Sequence, residues 1–141
     1  MTRIALTLAA LLAVPVALAE SPADTGADAY TVDVVSPQKP VKVGDKAQVK
    51  LSIHAKAPWH VDPRAPLSIK LETPAGLTVE KAQLSRKDAV DAKAEVPRFE
   101  VPFTAAAVGK QEAKAHLKFF LCRDTICAQQ QKTVAVTVAV K

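Results

Sequence analysis

The sequence predicts an all-β domain, an immunoglobulin-like two-layer antiparallel sandwich, and three observations predict it. Apolar residues recur with a period of two along most of the chain, and turn signals separate those runs. No window keeps the 3.6-residue period of an amphipathic helix over three turns. About seven short strands in about 110 residues suit two packed sheets, with no internal repeat and no second domain.

Each element follows in order. Arg3, the apolar run 4–18 and the Ala17-Leu18-Ala19 pattern read as a signal peptide over residues 1–19. That run is too short to span a bilayer comfortably, and Pro15 interrupts it, so no stable membrane anchor is expected after cleavage. Residues 20–28 are small and polar, a flexible leader, and residues 29–141 form the domain. Tyr30, Val32 and Val34 alternate with polar neighbours. Gly44-Asp45 turns the chain, and Ala47, Val49, Leu51 and Ile53 share one face of the next strand.

Residues 57–66 hold three prolines and cannot be regular throughout. Leu67, Ile69 and Leu71 resume the alternation, and Pro74-Ala75-Gly76 turns it. Leu77, Val79, Ala82 and Leu84 suggest one strand with a bulge where the parity slips. Residues 85–96 read as a loop or a short helical turn. Phe99, Val101 and Phe103 line one face of a strand that ends before a turn at Val108-Gly109-Lys110. The last two strands run through Ala113–Leu121 and Thr133–Val140, and residues 122–131 are their connection.

Composition narrows the function. The formal charge of +5 is spread along the chain, and most lysines alternate with apolar positions, which describes a solvated sheet face. With one Trp, one Tyr and four Phe, a stacking platform for single strands is not expected, and nucleic acid is not a predicted partner. Met1 is the only methionine and belongs to the signal, so a thioether copper site is not expected either. Ser52, Ser68 and Ser85 lack a nucleophile-elbow context, and the acidic residues are scattered.

Cys122 and Cys127 are the distinctive chemistry. In an exported chain two cysteines five positions apart oxidise to each other. As a staple the bond is poorly placed: a loop of about six residues contributes roughly 2 kcal/mol, against roughly 4 for a loop of about 65. A reactive pair needs accessible sulfurs beside something that stabilises a thiolate. Arg123 could do so, opposed by Asp124. Redox and structural readings stand level on spacing alone. Metal binding with His54, His60 or His116 is a third reading, but His54 and His116 fall on polar parities and read as surface residues. No metal and no cofactor is predicted. Trp59 reads as a core anchor, and Phe120, on the polar parity, as a docking residue or a side chain tucked under a loop.

Taken in order, Val43-Gly44, Trp59-His60-Val61, Pro66-Leu67, the Gly76 turn, Phe99 and Phe119-x-x-Cys122-x-x-x-x-Cys127 resemble the N-terminal periplasmic domain of the thiol:disulfide interchange protein DsbD, over residues 30–140. The resemblance implies an immunoglobulin-like sandwich with a redox-active pair, Cys122 and Cys127. It implies a periplasmic or secreted location and electron exchange with thioredoxin-fold or membrane-bound redox proteins. The chain lacks the membrane and thioredoxin-like domains of that protein, so its reductant is expected to be a separate polypeptide. Ala128 stands where a proline often follows the second cysteine. The family shields its cysteines with a loop bearing an aromatic residue, for which the segment around Trp59 and His60 is the candidate. The alternative is a non-catalytic binding or scaffold module with a structural disulfide.

Overall fold

The computed structural model describes residues 24–141; the expected signal peptide and the first part of the leader lie outside the described residues. Within them run nine strands: β1 (Tyr30–Val35), β2 (Lys46–Ala55), β3 (His60–Val61), β4 (Ser68–Glu72), β5 (Leu77–Val79), β6 (Gln83–Ser85), β7 (Arg98–Ala105), β8 (Gly109–Arg123) and β9 (Ile126–Val140). One sheet has the order β1-β2-β7-β5. The other has the order β3-β8-β4-β6, with β9 along the second edge of β8. Every ladder between strands is antiparallel. This is the immunoglobulin-like sandwich that the alternation predicts.

The alternation decides the packing. On β2, Ala47, Val49, Leu51 and Ile53 are buried while Lys46, Gln48 and Lys50 are exposed. They join Phe99, Val101 and Phe103 of β7 in one core with Ile69, Leu71, Leu117, Phe119, Leu121, Val136 and Val138 of the other sheet. Phe119 meets Tyr30 edge-on, with ring centroids 5.0 Å apart. Each fully buried side chain of this size contributes roughly 1.5–3 kcal/mol. An exposed ion pair such as Lys46–Glu80 is screened by water and contributes far less. The core therefore holds the fold, and the surface charges decorate it.

Two expectations need correction. The stretch from Leu77 to Leu84 is two strands, not one bulged strand: β5 pairs with β7 and β6 pairs with β4, in different sheets. The parity slip marks the crossing between layers. The last hairpin is also longer than predicted. Cys122 and Cys127 do not lie in a connection; they face each other inside the β8–β9 ladder, and the turn is only Asp124-Thr125. Asp124 takes a left-handed backbone (φ 48°), which a short polar residue tolerates and which suits so tight a turn. The expected loop at 85–96 holds one 3-10 turn, Arg86–Asp88, in which Asp88 accepts hydrogen bonds from the Ser85 backbone and hydroxyl.

Candidate functional site: the cross-strand cysteine pair

Three strands set out the site. Leu121 points into the core, so Cys122 alternates to the outer face of its sheet. Cys127 stands opposite it on β9, and His60 stands opposite it on β3. Directly paired residues share a face with their Cβ atoms about 5 Å apart. The two sulfurs are bonded to each other.

The two cysteines differ in access. Cys122 is 4% exposed although it points away from the core, whereas Cys127 is exposed. Asp62, just past the end of β3, lies against Cys122, with Oδ2 3.9 Å from its Sγ. Asp62 Oδ1 accepts the Arg64 backbone N–H at 2.8 Å and Arg64 Nε at 3.3 Å, and Oδ2 accepts Arg64 Nη2 at 3.3 Å. The first of these is an Asx turn, which Asp-Pro-Arg is suited to form. The Arg64 side-chain hydrogen bonds, followed by its backbone N–H, hold the Asp62 carboxyl below the usual carboxylate range. Arg86 reaches under this segment, its Nη2 donating to the Asp62 carbonyl at 3.0 Å, and so ties the 85–96 loop to it. A buried sulfur thus rests beside an ionised, half-neutralised carboxylate.

Arg123 does something other than predicted. It alternates to the face opposite the sulfurs, stacks over Trp59 at 5.0 Å and pairs with Asp24 at 3.0 Å. The charge beside the sulfur is therefore Asp62, which lies 60 positions away along the chain. No local pattern in the sequence could have shown it. Trp59 is the core anchor expected, not a shield over the cysteines. Gly26 packs on its ring with φ +69°, where a Cβ would come within 3.3 Å of the indole. The adjacent Thr25 carbonyl accepts from Gln130 Nε2 at 2.6 Å, so the leader end is strapped across the hairpin.

The remaining candidates separate. His54 pairs with Asp33 at 3.2 Å in the other sheet. His116 Nδ1 hydrogen-bonds the Thr133 hydroxyl at 2.8 Å, and its Nε2 lies 3.3 Å from the Glu72 carboxylate, on the outer face. Neither belongs to the cysteine site. His60 stands beside it, in register with Cys122 on the neighbouring strand. Phe120 is half-buried beside Pro66, Leu67 and Gln129. Among the described residues no helix is long and apolar enough to cross a membrane.

No protein-family model matches this chain, and no curated protein matches it by sequence. Similar solved structures include the cohesin module of a family 33 glycoside hydrolase from Clostridium perfringens, at 11% identity over 80% of this chain and 98% of that one, TM-score 0.45. A lipoprotein from Bacteroides thetaiotaomicron is similar at 17% identity over 76% and 78% of the two chains, TM-score 0.42. A conjugative transposon lipoprotein from Bacteroides eggerthii is similar at 14% identity over 74% and 94%, TM-score 0.39. Likeness at this level attaches none of those proteins' activities to this chain. What is established here is a β-sandwich module carrying one cross-strand disulfide with a buried and an exposed end.

Proposed function

We propose that this chain is an exported thiol–disulfide exchange domain of the DsbD N-terminal type, working through Cys122 and Cys127. The observation that carries the reading is the asymmetry of the pair: Cys127 is exposed, and Cys122 is buried against Asp62. An incoming partner thiolate attacks the accessible Cys127 Sγ and forms a mixed disulfide. The Cys122–Cys127 bond breaks, its electron pair leaves on Cys122, and that sulfur takes up a proton. As a thiol it lies within donor reach of the Asp62 carboxylate. A second thiolate of the partner then attacks the partner's own sulfur in the mixed disulfide and releases Cys127. Two electrons and two protons have passed to this chain, and the partner's dithiol has become a disulfide. The reverse sequence reduces an oxidised client, with Cys127 as the attacking thiolate.

A trapping experiment tests the assignment. Reduced Cys122→Ala protein is offered an oxidised dithiol protein of the thioredoxin type, and mixed disulfides are read by mass spectrometry. The expected trap forms through Cys127, whereas Cys127→Ala traps little. Equilibration in graded thiol buffers should place the wild-type potential above about −300 mV, with fast approach. A much lower value reached slowly, with no trap, would sink the reading.

The second reading is a non-catalytic binding or scaffold module with a structural disulfide. It is favoured by the bond's place inside a continuous ladder, with Trp59, Arg123 and Asp24 packed on the opposite face. In that case removing both cysteines lowers stability and leaves partner binding intact.

A further inference from the structure

Asp62 sets its carboxylate against Cys122, with Oδ2 3.9 Å from Sγ, and that contact is not itself needed to pass electrons between thiols. The carboxylate has a use once the sulfurs separate. The ligand atoms of Asp62, Cys122 and Cys127 all lie within 4.8 Å of one another. His60 stands on the same face in register with Cys122; it lies outside that 4.8 Å cluster, and its imidazole joins the set by rotating toward the sulfurs. Two thiolates, a carboxylate and an imidazole are a four-donor set suited to Zn2+. In the oxidised protein the bond between the sulfurs removes both of them as thiolate ligands.

We propose that reduction of the Cys122–Cys127 bond creates a Zn2+ site whose ligands are Cys122, Cys127, Asp62 and His60. The balance is simple. A dithiol or phosphine reductant supplies two electrons and is itself oxidised, and the cysteines take up two protons as thiols. Zn2+ then displaces both protons on binding. Ligand distances of about 2.3 Å from zinc to sulfur place tetrahedral thiolates roughly 3.8 Å apart. Side-chain rotation reaches that separation from cross-strand positions whose Cα atoms are 4.1 Å apart. The exposed side of Cys127 is the way in. Arg64, whose side chain is 89% exposed, is free to swing off Asp62 as the metal arrives. Zinc on both sulfurs would then withhold the pair from exchange, which makes the site a stop as well as a ligand cage. The inference needs only that the bond be reducible, and does not rest on any partner.

The full chain, reduced anaerobically with a phosphine, is titrated with Co2+, and the thiolate-to-cobalt charge-transfer and tetrahedral d–d bands are followed. One equivalent should bind to the reduced protein and none to the oxidised protein, and Zn2+ should displace it. Asp62→Asn and His60→Ala should each weaken binding by at least the roughly 10- to 100-fold that loss of even an outer partner costs. Circular dichroism checks that both variants are folded. Absence of the cobalt bands, or undiminished affinity in either variant, overturns the four-ligand site. Metal-free reduced protein that exchanges thiols but binds no cobalt overturns the zinc site and leaves exchange standing.

Discussion

The two ends of the β8–β9 hairpin are built from one ladder and behave as different materials. Toward the open end, Ala113, Ala115, Val136 and Val138 are buried and almost without side-chain chemistry. Toward the turn, the same two strands carry Cys122, Arg123 and Cys127, with Gln130 strapped to Thr25. The open end is specified by periodicity alone, since one slip in register would turn its apolar set outward. The turn end is specified by contacts from remote segments, Asp24–Gly26 on one face and His60–Arg64 on the other. Apolar burial is concentrated in the first region, and the side chains with chemistry of their own in the second.

Substitutions can break this contrast. The largest effect is expected from Phe119→Ala, on the core face between the two regions, which removes a fully buried ring in contact with Tyr30. It should cost about 3–5 kcal/mol in urea unfolding; a loss below 1 would mean that this part of the core is loosely packed. The paired change Cys122→Ala with Cys127→Ala should cost about 2 kcal/mol, the value of a short closed loop. A cost near 5 would make the bond a staple and remove the distinction between the two ends.

Acid should have the smallest and most gradual effect. Hydrogen bonds from Arg64, His116, Lys46 and Lys81 hold Asp62, Glu72, Glu80 and Asp88 respectively below the usual carboxylate range. Each group binds its proton less readily folded than unfolded. The stability this gives is complete above the ordinary carboxylate range and is lost as pH falls through it toward the folded values. Urea midpoints taken from neutral pH down to about pH 3 should fall steadily below about pH 5. A flat profile would show that these pairs contribute nothing.

The sequence makes the open end of the hairpin plain and the turn end obscure, and the reason is physical. Val134, Val136 and Val138 announce their strand by alternation, whereas Cys127-Ala128-Gln129-Gln130-Gln131 has no apolar set to reveal that it is equally extended. Gln130 is nonetheless buried, because its amide finds the Thr25 carbonyl. The cysteines themselves are legible as a pair. Their partner Asp62 is not, since nothing along the chain encodes a contact across 60 positions. Arg123 shows the converse hazard: adjacency in sequence suggested a neighbour of the sulfurs, and strand alternation puts it on the other face. The split of Leu77–Leu84 into β5 and β6 was visible only as a slip in parity, which a bulge and a change of sheet produce alike.

The long hairpin also bears on the order of events during folding. Its pairing is local and centred on a two-residue turn, so it can close within microseconds, while β2–β7 and β4–β8 must wait for distant parts of the chain. Cys122 and Cys127 therefore meet in a nascent ribbon before Asp62 arrives to cover one of them. Oxidant should find both thiols open at that stage and only one afterwards. Pulsed alkylation during refolding of the reduced chain would show Cys122 losing reactivity only as the sandwich closes, while Cys127 stays reactive; protection of Cys122 from the outset would contradict that order. The domain would then acquire its bond as a loose hairpin, and acquire the selectivity of that bond only on closing the sandwich around it.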